Sequence, residues 1–326
     1  MSILITGIAG QDGLILARKL QKRGTSFWGT CRKDQATYVS NLLPDAKIIQ
    51  EDLAVPGKIT DLLKDLRPKT IFNLAGFSSV RDSWKNKDLT YRINYEMPRE
   101  IIDWIQKSST DSQLIQAVSS EIFAGINSSP QNESSLISPT SPYGESKALI
   151  QEYLREIRIK SDLRLSSAIM YNHESPLRPD QYVSRHISKS IARIFLGLDD
   201  SVKIGNLYAK RDWGWAPEYM DALILISEQD SGDDFIVASG IVNQVLDLMR
   251  FGFQSIGIKD FSSFIETQDE RLRSIDSQTL VGDPRHIFEI CGWKPTLKIE
   301  EGIAVMIKND IELLKKPGKN TLSWLE

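Results

Sequence analysis

Short apolar runs alternate with longer amphipathic stretches over roughly the first half of the chain. The runs are Ile3 to Ile5, Ser26 to Trp28, Lys47 to Ile49, Thr70 to Phe72, Leu114-Ile115 and Ser166 to Met170. Between them, Gly13 to Arg23, Gly57 to Leu66, Tyr91 to Gln106 and Tyr143 to Lys160 carry helical periodicity. Strands and helices in alternation predict an α/β fold: a Rossmann-like, doubly wound parallel sheet covered by helices on both faces. From about Ser175 the pattern loosens. Pro176, Pro179, Gly205 and Pro217 punctuate it, and strand-like pieces such as Asp234 to Ala238 mix with short helices. The expectation is a first domain over 1–172 and a smaller C-terminal lobe over 173–326 that covers a substrate and interleaves with the first.

Size and charge narrow the field. A chain of 326 residues is long enough for a sizeable core. Lys plus Arg number 40 and Asp plus Glu 43, a formal charge of -3, which gives no reason to expect nucleic acid or an anionic membrane. The two cysteines, Cys31 and Cys291, have no paired spacing. Neither a disulfide framework nor a zinc site is expected, and a reducing cytoplasm fits. No apolar stretch approaches the roughly 20 residues that span a bilayer, and no basic leader precedes Ile3. A soluble cytoplasmic protein is the expectation.

The first turn is informative. In ILITGIAGQDG, Gly7, Gly10 and Gly13 follow a strand and open a helix. Glycine allows the tight turn and lets backbone N–H groups approach a dinucleotide diphosphate at the positive end of the helix. At the end of the second strand, an NAD-preferring site would place an acidic residue for the ribose diol. Here Cys31-Arg32-Lys33 offers two cations, suited to the 2′-phosphate of NADP. Asp52-Leu53 and Asn73-Leu74-Ala75-Gly76 close the next two strands, at positions that line the ligand crevice of such a sheet.

A second constellation lies further along. In SPYGESK, Tyr143 and Lys147 are four apart and share a helix face. An ammonium beside a phenol lowers its pKa and allows proton exchange near neutrality. Ser119 ends an earlier strand and supplies a hydroxyl, and Glu121 follows two residues later in AVSSEIFAG. Read alone, Glu121 is a turn residue. With the glycine-rich turn, these residues resemble the extended short-chain dehydrogenase/reductase family, which implies a catalytic Ser119, Tyr143 and Lys147. Within it, Ser119-x-Glu121 is similar to the Thr-x-Glu of nucleotide-sugar 4,6-dehydratases.

Longer blocks sharpen that likeness. GIAGQDG, NLAGFSSV, NHESPLRPDQYVSRHI, KRDWGW, RSIDSQTLVGDP and GWKP together resemble the GDP-mannose 4,6-dehydratases from Ile3 to about Pro295. The resemblance implies a cofactor site of Gly7, Gly10, Gln11, Asp12, Gly13, Arg32, Asp52, Leu53, Leu74, Ser78, Tyr143, Lys147, His173 and Arg178. It implies a GDP-sugar site of Ser78, Glu121, Asn172, Val183, Arg211 and Arg273. It also implies that Tyr143 takes the O4 proton while the C4 hydride passes to NADP+. Glu121 then removes the C5 proton and assists loss of the C6 hydroxyl, and the hydride returns to C6. A GDP-sugar epimerase, a 4-keto reductase, a dehydratase for a related GDP-heptose and a non-catalytic NADP sensor stay open on the same scaffold.

Departures from the family pattern are visible. Serine replaces its threonine at position 119, and its RKI reads Arg185-His186-Ile187. The stretch after Lys33, which helps to build a tetramer in the family, is shortened, and so is the segment between Ser227 and Glu270. A homodimer is therefore expected ahead of a tetramer.

Overall fold

The computed structural model describes residues 2–108, 111–267, 279–316 and 322–325. Twelve strands occur among these residues: β1 (Ile3–Thr6), β2 (Phe27–Cys31), β3 (Lys47–Gln50), β4 (Thr70–Asn73), β5 (Gln113–Ser119), β6 (Leu165–Met170), β7 (Asn172–Glu174), β8 (Val202–Ile204), β9 (Lys210–Trp215), β10 (Asp234–Val237), β11 (Val242–Gln244) and β12 (Ile265–Thr267). Seven of them form one parallel sheet in the order β10-β6-β5-β4-β1-β2-β3. The order reverses between β1 and β4, the switch point at which ligands bind in doubly wound folds.

Alternation along the strands divides the core into two faces. Ile3 and Ile5 point to one face, where they meet the helices Gln11–Lys22 and Ala216–Ser227. Leu4, Ile71 and Leu114 point to the other, against the helices Lys58–Leu66, Met97–Ser108 and Pro142–Ile159. Ile59 and Leu63, one helical turn apart, are fully buried there. Each contributes about 1.5–3 kcal/mol by leaving water.

The predicted helices are present, with shifted ends. The first begins at Gln11, two residues earlier than the glycine pattern indicates. The stretch read as Tyr91 to Gln106 is the helix Lys87–Tyr91, a π-helical turn Arg92–Glu96 and the helix Met97–Ser108. The helix Ala36–Leu42, which the apolar pattern did not announce, follows the 3-10 turn Lys33–Gln35 directly.

Beyond residue 173 the chain builds a smaller body and also returns to the first. The helices Val183–Phe195, Val245–Ser255 and Ile299–Lys315 share a separate core around Ile187, Ile191, Leu248, Phe253, Ile303 and Met306. Strand β10 instead adds to the main sheet beside β6, and the helix Ala216–Ser227 packs on Gln11–Lys22, with Lys19 bonded to Asp221 at 2.8 Å. A three-stranded sheet, β11-β9-β7, links the two bodies.

Arg185 belongs to the inside of the smaller body. It is 4% exposed, and its guanidinium binds Asp310, which also accepts from the Ser188 hydroxyl at 2.8 Å. This ion pair faces the helix Ile299–Lys315, so the altered Arg-His-Ile triplet carries a structural arginine. Its neighbour His186 points outward and bonds the Lys203 carbonyl at 2.7 Å. Replacing Arg185 by Met should leave Asp310 as an uncompensated buried carboxylate and cost about 3–5 kcal/mol. A fall in the urea midpoint measures it, and adding Asp310→Leu should recover a substantial part.

Candidate active site

Parallel pairing brings the carboxyl ends of the strands to one edge. Thr6, Asn73 and Gln116 sit in register on β1, β4 and β5. Their side chains bond in series: Thr6 Oγ1 donates to Asn73 Oδ1, and Asn73 Nδ2 donates to Gln116 Oε1 at 2.7 Å. Thr6 Oγ1 also accepts from the Ala75 N–H at 3.1 Å. This buried polar line fixes the floor of the crevice, and only the assembled sheet reveals it.

The dinucleotide turn fits its predicted role. Gly7 has a φ of +70°, and a Cβ there would lie 2.7 Å from Ala75 Cα. A Cβ on Gly13 would lie 2.5 Å from the Gly7 carbonyl oxygen, so the helix can approach the strand only with glycine. Gly10 is the N-cap of the helix Gln11–Lys22 and provides no side-chain cap. The first N–H groups of that helix are therefore left for an anion.

Beneath the turn, Gln11, Asp12, His173 and Ser175 form a closed network. His173 Nε2 lies 3.0 Å from Asp12 Oδ1, and Nδ1 lies 2.7 Å from the Tyr171 carbonyl. Gln11 Nε2 donates to the His173 carbonyl at 3.1 Å, and Ser175 Oγ donates to Gln11 Oε1 at 2.7 Å. Burial pushes the Asp12 carboxyl up and the His173 ring down, but their mutual charge and hydrogen bonds prevail. Asp12 ends below its ordinary value and His173 above its own.

The residues expected to be catalytic lie where the helix Pro142–Ile159 crosses the end of β5. Ser141 caps the helix by accepting from the Gly144 N–H at 3.1 Å, and Pro142 occupies its first turn. Strand β5 ends at Ser119, whose Oγ accepts from the Glu121 N–H at 3.3 Å and starts the 3-10 turn Ser120–Phe123. Ser119 also bonds the Tyr143 side chain. A Cβ on Gly144 would lie 2.8 Å from the Glu121 carbonyl oxygen, so this glycine sets the separation between turn and helix.

Electrostatics link the same groups. Burial raises the Tyr143 phenol well above its usual value. The Ser119 bond and the Arg178 charge pull it down, while Tyr182 and Glu121 push it up. Ser119, Glu121, Arg178 and Tyr182 thus all lie near enough to bear on the charge of Tyr143. Burial lowers the Lys147 ammonium to about 8. Lys147 is 5% exposed and donates to the Ala117 carbonyl at 2.9 Å. An ammonium has three N–H groups, so this one retains capacity for a ligand.

Other expected residues are placed less tightly. Arg32 is exposed, with a 3.4 Å contact to the equally open Asp34, a pairing of little energetic weight. Asp52 accepts from the Ala54 N–H at 3.0 Å. Leu53 is a core residue packed with Ile59 and Ile71, and Leu74 is half-buried against the other core face. Asn172 and Arg211 lie on the linking strands β7 and β9. Arg211 is buried and donates to the Lys210 carbonyl at 2.7 Å. Val183 is exposed at the start of its helix. Arg273 lies outside the described residues.

Several residues of the site escaped the sequence reading. Tyr182 donates to Ser78 Oγ at 3.0 Å and to its carbonyl at 2.9 Å, tying the 175–182 segment to the loop after β4. The Arg178 guanidinium lies 3.8 Å from the centre of the Tyr182 ring. Asn94, in the π turn, brackets Phe77 by accepting from its N–H at 2.9 Å and donating to its carbonyl at 3.0 Å. The aromatic at position 182 beside Arg178 was a visible signal. The π turn had none.

A doubly wound sheet with serine, tyrosine and lysine near its carboxyl edge is the arrangement of the short-chain dehydrogenase/reductase class. The family model described as GDP-mannose 4,6 dehydratase matches residues 4–306. GDP-mannose 4,6 dehydratase 2 of Arabidopsis thaliana is 30% identical over 96% of this chain and 87% of its own length. The Homo sapiens GDP-mannose 4,6 dehydratase is 29% identical over 96% and 92% of the two chains. The chain belongs to the GDP-mannose 4,6-dehydratase family. Among solved structures, RMD from Pseudomonas aeruginosa complexed with NADPH superposes with a TM-score of 0.80 at 20% identity, over 95% of this chain and 99% of that one. UDP-glucose 4-epimerase of Thermotoga maritima with UDP-glucose gives 0.84 at 20% identity, over 96% and 100%.

The Lys147 geometry predicts a pH response. Its folded pKa lies below the ordinary 10.5, so the buried charge weakens the fold below about 8 and that cost lifts as pH rises toward 10.5. If Lys147 serves as a cation, as expected from the sequence, turnover should move in the opposite direction. It should fall on the alkaline side with an apparent midpoint near 8 while thermal stability does not. A pH–rate profile run beside melting curves checks both.

Proposed function

We propose that this chain converts GDP-mannose to its 4-keto-6-deoxy product, using NADP held at the glycine turn. The observation that carries the reading is the carboxylate of Glu121 beside the Ser119–Tyr143 pair. Oxidation or epimerisation at C4 needs only a proton acceptor at O4. Loss of water across C5 and C6 needs a second base and acid, and the turn after β5 supplies one.

The uncapped N–H groups after Gly10 would hold the diphosphate of the cofactor, Arg32 and Lys33 its 2′-phosphate, and Lys147 its remaining polar edge. When bound, NADP would supply an acceptor for the C4 hydride and a source of the same hydride for C6, and C5 would regain one proton, matching the one Tyr143 takes from O4, so no cofactor would be consumed. Tyr143 removes the O4 proton, with Ser119 holding its phenol oxygen and Lys147 providing positive charge. Glu121 takes the C5 proton and, once protonated, hands it to the departing C6 hydroxyl, which leaves as water. Asn172, Arg211 and Arg273 are assigned to the GDP-sugar, where an arginine fork suits a diphosphate or a guanine edge. The turn Lys33–Gln35 runs straight into the helix Ala36–Leu42, which leaves little chain to reach a neighbouring cofactor site, and we read the assembly as a homodimer. Free Cys31 and Cys291 suit a cytoplasmic setting.

Two substitutions test this. Glu121→Gln keeps size and hydrogen bonding but removes basicity, so dehydration should fall by roughly two to four orders of magnitude. Oxidation at C4 should survive, leaving NADPH absorbance on the protein after GDP-mannose is added. Unchanged dehydration and wild-type C5 hydrogen exchange in deuterated water would return Glu121 to the status of a turn residue. Arg32→Asp should narrow the preference for NADP over NAD by roughly ten- to a hundredfold, the worth of charge-assisted hydrogen bonds. Equal binding of NAD and NADP by the wild type at physiological salt would remove the 2′-phosphate assignment.

A further inference from the structure

Asp12 poses an electrostatic problem. It is the second residue of the helix whose N-terminus is assigned to a diphosphate. A carboxylate there favours the helix dipole but repels the anion that the same N–H groups would bind. The answer lies in the atoms facing the His173 ring.

That ring is 7% exposed and meets an acceptor at each nitrogen: the Asp12 carboxylate at 3.0 and 3.1 Å and the Tyr171 carbonyl at 2.7 Å. A carbonyl can only accept, so Nδ1 carries a proton. An ionised carboxylate can only accept as well, so Nε2 carries the second. From the helix Ala216–Ser227, the Tyr219 ring stacks on His173 at 4.9 Å, a placement that favours a cation. Arg178, on the segment that follows β7, opposes the charge and is itself paired with Glu174 at 3.3 Å.

We propose that His173 is an imidazolium whose function is to neutralise Asp12 beneath the dinucleotide turn, making the pair a positioning element for the cofactor diphosphate. The pair also joins two bodies of the fold. Asp12 belongs to the cofactor helix, while His173 lies in β7, paired through Gly214 to the strand that carries Arg211. Charge at the cofactor turn and the position of the GDP-sugar strand are thereby coupled. The inference rests on the cofactor reading given above.

Nitrogen-15 NMR of the histidine side chains tests the charge directly. The chain has three histidines, and His173→Gln identifies the signal. An unperturbed imidazole is mostly neutral at about pH 7.5. The His173 ring should be doubly protonated there in the wild type and neutral in Asp12→Asn, the gentler variant. A neutral wild-type ring at that pH overturns the proposal whether or not nucleotide binds. NADPH titration of the full chain supplies the second arm. His173→Gln strands the Asp12 charge and should weaken NADPH by roughly tenfold to a hundredfold, as direct charge coupling does. Adding Asp12→Asn to it should restore most of the affinity, because no net charge remains. A double variant as weak as the product of the two single losses overturns the pairing. Absence of NADPH binding by the wild type would sink the cofactor reading itself, and the NMR arm would still report the charge of His173.

Discussion

The approach of the helix Pro142–Ile159 to the end of β5 is the constraint on which the active site depends. Lys147 donates to the Ala117 carbonyl, Ser119 bonds Tyr143, and Gly144 lets the helix come down onto the Glu121 carbonyl. These contacts span barely one helical turn and one strand end. They bring a phenol, a hydroxyl and an ammonium to one end of the sheet, with a carboxylate in the turn that follows β5. Lys147 and Ser119 are held by backbone groups, so this part of the site inherits the rigidity of the sheet.

Two acidic side chains tie the second body and the linking sheet to the main sheet. Asp12 reaches His173 on β7. Asp212 on β9 accepts from the N–H groups of Ser239, Gly240 and Gly282 and from the Ser239 hydroxyl. Burial raises Asp212 to about 6 against the pull of those donors. Its position next to Arg211 means that one strand both anchors the lobe and presents a candidate substrate cation. Tyr182, bonded to Ser78, adds a further tie to the loop after β4.

Much of this was readable in advance. The alternation of apolar runs gave six strands of the main sheet in their observed places, because strands buried on both faces need continuous apolar residues. The glycine spacing and the Tyr143–Lys147 interval were equally legible, since each follows from local geometry. The residues that escaped act only across distance: Asn94 through a π turn, Tyr182 through a loop 104 residues away, and Thr6 and Gln116 through strand register with the expected Asn73. Arg185 shows the reverse case. Its triplet stood out only as a departure from the family pattern, and packing against Asp310 makes the arginine part of the core.

The sequence by itself determined the main sheet and the glycine turn, because these depend on periodicity and on residues a few positions apart. The tertiary structure alone decided which face Glu121 shares with Tyr143. It also decided that β10 rejoins the main sheet, and that a histidine read as a cofactor contact carries charge for Asp12. Such outcomes depend on hydrogen bonds and ion pairs between segments as many as 161 residues apart, and no local pattern records a partner that folding has yet to bring near.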